Sequence, residues 1–533
     1  MKGLRPAVVL AVVAAAVVCA VVVAAPLLPR GTDLYAHVLW SWQVMRCLSA
    51  GALPVWLPDL NAGMGSAGIR LYSPLGPVVC GALGLLFGDA GRGIRAAIVL
   101  ALLILFAVVR RQKVPGWPGI AVVTVASPVV VTEVVTRFPV SEILAIPVAW
   151  LLLDIGVRGL HSWRQAGSLL GVLWLLHAPT AAMVGALMAA AAISNRERGR
   201  QLPLFLATVA TAALLTVWHW LPLLFEASSH TFASALATGK HHPLRNLLGL
   251  PDAHLMDINI SMGWAAVGVL LALLAAGAWR SRRGALAVAA VALAATPAAP
   301  VWRLVPFLAW LQFPWRWLLP ASLLAIPALT AARDVAPWRR RLSLVLFAVP
   351  ILLVPSVRFA SDPKLTAHTA WQRAGRAVFE GFDGNPLLVD VEEHRPPWWP
   401  ELAATLVRLG DRPAVLTNPS GRLRVTAWRP LSREFVVQSD AADRLVVRLL
   451  ADPHWSAEVD RLPAGTERSG AALSTRLSPG RHTVTVRWRP DNVTLAGVAI
   501  SAIAIVALGL DAAHRRRARV RSATLSRPPS WTR

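Results

Sequence analysis

The chain has 533 residues, 56% of them hydrophobic and 15% charged, with 53 Lys and Arg against 28 Asp and Glu for a net charge of +25. The mean hydropathy is +0.55, and the charged fraction is far below the roughly 25% of soluble domains, which excludes a soluble enzyme, a disordered chain and a collagen-like repeat. Three cysteines cannot build a disulfide framework, and the basic excess reads first as loops flanking membrane spans, not as a nucleic-acid surface.

The first apolar run, Ala7–Leu28, follows Lys2 and Arg5. It is longer than a signal-peptide core and reads as an uncleaved first span. Further runs follow at Pro74–Phe87, Ile94–Val109, Gly119–Val135, Val140–Val157, Gly167–Ile193, Pro203–Phe225, Trp264–Trp279, Ala285–Ala298, Pro314–Ala332, Leu342–Val357 and Ala496–Leu510. Crossing a bilayer takes about 20 residues, so the shorter runs predict tilted, broken or re-entrant helices, and 11 to 13 spans in all.

Charge orients the second half. Arg196, Arg198 and Arg200, then Arg280, Arg282 and Arg283, then Arg339–Arg341 and the tail Arg515–Arg521 belong on the inner side. The outer segments are then Glu226–Gly263, Val301–Phe313 and Arg358–Val493. The first half admits two layouts. With Arg110, Arg111, Lys113, Arg158 and Arg164 inside, Gly167–Ile193 must be a hairpin broken at His177-Ala178-Pro179, and the segment near Pro74–Phe87 must not simply cross. A plain count of twelve spans reverses these sides, and positive-inside counting favours the broken layout by five charges to three.

Two regions read as non-membrane. The loop 29–73 contains Asp33–Ala50, with a polar face and the aromatics Tyr35, Trp40 and Trp42, which suits a helix lying in the interface. Residues 358–493 contain alternating segments at Leu423–Trp428, Glu434–Gln438, Arg444–Leu450, Trp455–Val459 and His482–Trp488, separated by Pro and Gly. These predict an antiparallel β-sandwich over about 420–490.

Several residues could carry chemistry. Asp33 and His37, four apart, share a helix face just outside the first span, as a base or cation holder or as a helix cap. The Pro-, Gly- and aromatic-rich segment containing Trp56 and Tyr72 suits sugars or lipid head groups, or is an ordinary interfacial turn. Arg137 and Glu142 flank Pro139 between two apolar runs, where charge is costly and functional by default, a structural ion pair being the alternative. His177 reads more readily as a helix–helix hydrogen-bonding residue than as a ligand. Arg316 lies between two Trp at the mouth of a span and offers a fork for phosphate, unless it snorkels to the surface. Glu393, in a stretch of acids and aromatics, lines a candidate acceptor cleft or a solvated linker. His241, His242, Asp252, His254 and Asp257 share one outer loop without a recognised metal-ligand spacing, and there is no Walker, Rossmann or Gly-x-Ser-x-Gly motif.

Taken together, the layout resembles bacterial multi-spanning glycosyltransferases of the GT-C superfamily, specifically the YfhO-like group. The resemblance rests on Asp33-Leu34-Tyr35-Ala36-His37, Leu53-Pro54-Val55-Trp56 and Leu71-Tyr72-Ser73-Pro74-Leu75 in the first loop. It continues with Arg137-Phe138-Pro139-Val140-Ser141-Glu142, where Phe138 replaces the usual Gly, and with Phe313-Pro314-Trp315-Arg316. In the outer domain it rests on Pro453–Asp460, with Arg461 in place of a Gly, and on Pro479–Val484.

What the resemblance implies is a GT-C-like transmembrane core over 1–357, an extracytoplasmic domain over 358–493, a last span over 494–511 and a basic cytoplasmic tail over 512–533. The implied activity is transfer of a sugar from a polyprenyl-phosphate donor to a cell-envelope glycan, lipid-linked or polymeric acceptor on the outer face of a bacterial plasma membrane. Asp33 would be the base and Glu142 a second catalytic member; Arg316 would neutralise the leaving phosphate; His37, Trp56, Tyr72, Arg137 and Glu393 would bind substrate. No resident cofactor and no metal ligand set is expected, a divalent cation being left open, and the partners would be the lipid-linked donor, the acceptor and membrane lipid, with no nucleic acid. A transporter or flippase of lipid-linked saccharides and a non-catalytic envelope scaffold are the competing readings.

Overall fold

The computed structural model describes residues 34–112, 120–133, 139–226, 242–250, 256–350 and 404–525, apart from gaps of one or two residues, and the short strands 378–380 and 386–388. Asp33, Arg137, Glu393 and the run Ala7–Leu28 lie outside the described residues. The described chain is mostly helical, with a β-rich region towards its C-terminus.

The main helices are α1 (Leu34–Ser49), α2 (Leu75–Phe87), α3 (Ala90–Arg111), α4 (Val140–Arg158), α5 (Trp163–Leu176), α6 (Ala178–Ile193), α7 (Arg198–Glu226), α8 (Met256–Ala275), α9 (Arg282–Ala294), α10 (Leu318–Ala331), α11 (Pro337–Ala348) and α12 (Asn492–Leu525). Among the described residues five of these, α3, α4, α7, α8 and α12, are long and apolar enough to cross a membrane. The apolar runs Pro74–Phe87, Ala285–Ala298 and Pro314–Ala332 give shorter helices, α2, α9 and α10, in keeping with their short sequence lengths. Caps mark several starts. Asp89 accepts from the backbone N–H of Arg92, Ser162 from Gln165 and Ser281 from Gly284.

Packing fixes the directions. Gly167 lies on Thr208 and Thr211, Gly171 on Ala212 and Thr216, and the Trp174 indole donates to His219 at 3.2 Å. Helices α5 and α7 therefore run parallel. Glu142 meets His177 just before α6 begins, and Gly156 meets Met188 near its end, so α4 and α6 run parallel, each antiparallel to α5. The expected hairpin broken at His177 is thus present: α5 rises to His177, which is extended (φ −158°, ψ 97°), and α6 returns. Helix α12 runs against α7, with Gly497 on Trp218 and the Ser501 hydroxyl donating to the Leu214 carbonyl at 3.1 Å.

One end of the bundle collects positive charge. Asp154 pairs with Arg158 at 2.9 Å and with Arg283, Arg282 donates to the Val157 carbonyl at 2.9 Å, and Arg164 pairs with Asp511 at 3.0 Å. The last turn of α3, with Arg110 and Arg111, reaches the same level, since Gln112 bonds Asp154 and Trp150. Helix α2 has only 13 residues, about 20 Å at 1.5 Å per residue. It starts beside Ser141 and packs Cys80 and Gly84 on Gly93 of α3, so it covers part of α3 and does not cross beside it.

Two expectations need correction. Helix α1 does not lie with one face in an interface. Its Trp40, Ser41, Trp42, Gln43, Val44 and Cys47 are all buried, because α2 covers one side and the loop after α1 folds back over the other. There Gln43 holds Asp59 from two directions, donating to its carboxylate and accepting from its backbone N–H, both at 3.0 Å. Helix α8 begins at Met256, eight residues ahead of the expected span at Trp264; the polar Asn259 is accommodated by donating to the carbonyls of Asn246 and Leu247, each at 3.2 Å.

The β-rich region opens with a hairpin of β1 (Val378–Glu380) and β2 (Pro386–Leu388). A sandwich follows, built from β3 (Ala414–Leu416), β4 (Arg422–Arg429), β5 (Ser432–Ser439), β6 (Asp443–Leu450), β7 (Trp455–Val459), β8 (Leu462–Ala464), β9 (Thr466–Ser469), β10 (Ala472–Leu477) and β11 (Gly480–Trp488). The order is β3-β6-β10-β9 in one sheet and β4-β5-β11-β7-β8 in the other. Every predicted strand is present within a residue or two. Phe435, Val437, Val484 and Val486 of one sheet meet Leu445, Val447, Leu449 and Leu473 of the other in a common core.

Candidate functional site

The loop between α1 and α2 joins the two regions. Trp56 is 1% exposed and belongs to the sandwich core, with its ring edge-on to Trp455 at 5.4 Å between centroids. The Met64 carbonyl accepts from the backbone N–H of Leu450 at 2.8 Å. Gly65 adopts φ +79°, and a Cβ there would run into the Trp56 indole nitrogen, so this position is glycine for two reasons. Trp56 was expected to bind substrate. Its ring is instead consumed in holding the loop to the sandwich, and no face is left for a ligand.

Arg70 makes the second joint. Its Nη1 donates to Nε2 of His454 at 3.0 Å, and its Nη2 lies 3.4 Å from Asp452. Arg only donates, so His454 Nε2 accepts and its Nδ1–H donates to Asp452 at 2.8 Å. Burial alone would raise the Asp452 carboxyl, but the His454 hydrogen bonds and the Arg70 charge outweigh it and hold the group below its usual range. The His454 ring stacks on Trp488 at 5.4 Å, and Arg70 lies over the same indole at 5.6 Å. Nearby, Arg433 is fully buried over Trp428 at 4.3 Å, and burial pushes its guanidinium down to about 10, so it stays charged at neutral pH.

A few residues further on, the loop enters the bundle at the end opposite the arginines. The Ser73 hydroxyl accepts from the N–H of Ala178, the first residue of α6, at 2.8 Å. The Tyr72 carbonyl lies 2.9 Å from Nε2 of His219. Because the Trp174 indole can only donate, His219 accepts at Nδ1 and donates from Nε2 to Tyr72. Both ring nitrogens are committed, and His219 is a neutral clamp.

This clamp frames a buried acid and imidazole. Glu142, in the first turn of α4, and His177, at the break between α5 and α6, are each 1% exposed, with Oε2 4.0 Å from Nε2. The other ring nitrogen of His177 bonds the Thr180 hydroxyl at 2.7 Å. Aromatic contacts extend the group outward: Tyr72 lies 6.4 Å from His177, Trp40 lies 5.1 Å from Tyr72, and His37 lies 5.8 Å from Trp40. A chain of ring contacts thus links His37, through Trp40 and Tyr72, to the Glu142–His177 pair. An ionised carboxylate this deep costs several kcal/mol unless matched by charge or hydrogen bonds. A Glu beside an imidazole whose far nitrogen is anchored can exchange a proton and orient a hydroxyl between them.

Arg316 belongs to a separate element. The 3₁₀ turn Pro314–Trp317 runs straight into α10, and Arg316 is 5% exposed there, with Nη1 donating to the Leu311 carbonyl at 3.0 Å. Its guanidinium lies over Phe313 at 5.0 Å, itself stacked on Trp315 at 4.7 Å. It does not snorkel to a surface as an aromatic-belt arginine does, and it is not at an open mouth. Sequence reasoning passed over Ser73, His219 and Arg70 as site builders. It also passed over Glu133, a second carboxylate only 3% exposed. Their signal is contact across the chain, which a linear pattern does not carry. Among the described residues no three His, Cys, Asp or Glu side chains come together as a metal cage.

No protein-family model matches the chain, and no curated protein or solved structure is significantly similar to it.

Proposed function

We propose that the chain is a membrane glycosyltransferase of GT-C type, moving a sugar from a polyprenyl-phosphate donor to an envelope acceptor on the outer side of a bacterial plasma membrane. The observation that carries this reading is the buried Glu142–His177 pair at the bundle end away from the arginine cluster, framed by Tyr72 and Ser73 of the first loop. With the arginine end inside, that pair faces outward, where a lipid-linked donor presents its sugar. Inverting displacement needs a base for the acceptor hydroxyl and a cation for the leaving phosphate. In this proposal Asp33, which precedes His37 by four residues, or Glu142 supplies the first, and Arg316 the second. Arg137 and Glu393 remain substrate-binding members by resemblance. The sandwich holds the loop that borders the site.

The test uses the full chain in nanodiscs with radiolabelled polyprenyl-phosphate sugars and a cell-envelope extract. Transfer by the wild type is expected to fall about 10²–10⁴-fold in Asp33→Asn or in Glu142→Gln, with folding unchanged, the typical effect of losing a general base. Folded wild type that transfers nothing from any donor refutes the proposal. One observation favours a second reading, a carrier of lipid-linked saccharides: the helix break at His177 resembles the half-helices that line transport sites. A carrier moves the labelled lipid between leaflets without forming a glycosidic bond, so the same experiment separates the two.

A further inference from the structure

The outer face of the five-stranded sheet is an arginine field with almost no acid in it. Alternation puts Leu423, Val425, Phe435, Val437, Val484 and Val486 into the core, which leaves their neighbours facing out. Across β4, β5 and β11 the register aligns Arg422 with Gln438 and Arg481, then Arg424 with Val436 and Thr483. A bulge between Val425 and Ala427 keeps Arg429 on the same face, aligned with Ser432 and Arg487. All five arginines are exposed. The facing acids are Glu434, at the centre, and Glu458 of β7, which is already paired with Arg489 at 2.5 Å. None of the five guanidiniums has a hydrogen-bond or ion-pair partner among the described residues.

Spacing says what such a face fits. Arg422 and Arg481 sit two strands apart, about 10 Å, as do Arg429 and Arg487. The two pairs are seven residues apart along β4, about 23 Å at 3.3 Å per residue, with Arg424 between them. Guanidiniums from the two ends of the field, about 23 Å apart along the strand, cannot converge on one phosphate. They can each fork onto successive acids of an extended chain. The face offers no row of free aromatic rings for stacking bases, which single-stranded nucleic acid would use. The strand carrying Arg481 and Arg487 ends at Trp488, four residues before the spanning helix α12 begins, so the field stands on a tether to the bundle end away from the arginine cluster.

We propose that this face binds an extended acidic polysaccharide, bearing carboxylates or phosphodiesters, outside the membrane. The proposal stands whether or not the chain transfers sugar. The full-length protein in nanodiscs of neutral lipid is titrated with polygalacturonate, with a phosphomannan and with neutral dextran. Either acidic polymer is expected to bind, the two arms telling carboxylate from phosphodiester, with affinity falling as salt rises; dextran is expected not to bind. Arg422→Ser/Arg424→Ser/Arg481→Ser is expected to weaken binding by about tenfold or more, through loss of three exposed ionic contacts. Arg515→Ser/Arg516→Ser/Arg517→Ser, which removes the same charge from the other end, is expected to leave it unchanged. Because a triple substitution could perturb the sheet, Arg422→Ser alone is measured too and is expected to give a smaller loss in the same direction. Equal binding by wild type and triple variant overturns the proposal. So does binding of phosphatidylglycerol vesicles with no binding of either polymer, which makes the face a membrane contact.

Discussion

Trp56→Ala tests the joint between loop and sandwich. Trp56 keeps 1% of its surface exposed, and a buried Trp hides about 200 Å², which at roughly 25 cal/mol per Å² is worth ~5 kcal/mol. Trp→Ala truncations in cores cost about 3–5 kcal/mol, and the edge-on contact with Trp455 is lost with the ring. A cost of about 4 kcal/mol is expected. Hydrogen exchange on the full chain in nanodiscs reads it directly: amides of β5, β6 and β11 that exchange through opening of the sandwich should do so on the order of 10³-fold faster. The exposed Val407→Ala is the control, since that side chain is 83% exposed. Acceleration of less than about tenfold would mean that the sandwich holds together without the loop, and the argument that the loop completes its core would be wrong.

Two further outcomes follow from the β7–β8 turn. Asp460 and Arg461 have φ +51° and +69°, the only described non-glycine residues in the left-handed region; Arg461→Gly removes strain and is expected to stabilise the sandwich by about 1 kcal/mol, read as a higher melting temperature. The Asp460 carboxylate accepts from the Thr483 N–H at 2.8 Å and bonds His482 at 2.7 Å, which holds the acid below its usual range and raises the imidazole. The His482 contribution is complete below the ordinary histidine value and is lost as pH rises through its raised folded value; the Asp460 contribution is complete above the ordinary carboxylate value and is lost as pH falls through its lowered one. The pair therefore supports the sheet best between about pH 4 and 6.5, by a small amount because the Asp460 side chain is 48% exposed and its charge is screened. His482→Gln is expected to flatten the fall in melting temperature above that window, and an unchanged pH profile counts against the pairing.

What was legible in the sequence follows from range. Strands β4, β5, β6, β7 and β11 announce themselves because each alternates between core and solvent over five to nine residues. Strands β3, β8 and β9 have only three or four residues, too few for a period. β10 is buried at five of its six positions, Ser474 and Thr475 included, so polarity misleads there. The helix break at His177 was legible from the arginines on either side and from Pro179. The roles of Trp56 and Arg70 were not. The partner of Arg70, His454, lies 384 residues away, and no local pattern distinguishes a tryptophan headed for a distant sandwich from one headed for a sugar. The burial of Arg316 was hidden for a similar reason: it depends on Phe313, Trp315 and Leu311 folding over it.

The same long-range joint bears on the site. Arg70 is fixed by His454 and Asp452 on the sandwich. Ser73 is fixed on the first N–H of α6. The Cα atoms of Arg70 and Ser73, three residues apart, lie at most about 10 Å from one another, so one short stretch of chain ties the sandwich to the α5–α6 break. Between these anchors Tyr72 lends its carbonyl to His219 and its ring to His177. Slack in the Arg70 joint is therefore passed to the loop that frames Glu142. Releasing it exposes Tyr72, whereas the 4.0 Å spacing of Glu142 and His177 is set by α4 and the α5–α6 hairpin, which the sandwich does not touch through Arg70. Loss of this joint should thus open the rim and leave the acid pair in place. Under the proposed function, a rim that opens while the acid pair stays in place would let a bulky, lipid-tethered substrate enter from the side and be enclosed afterwards.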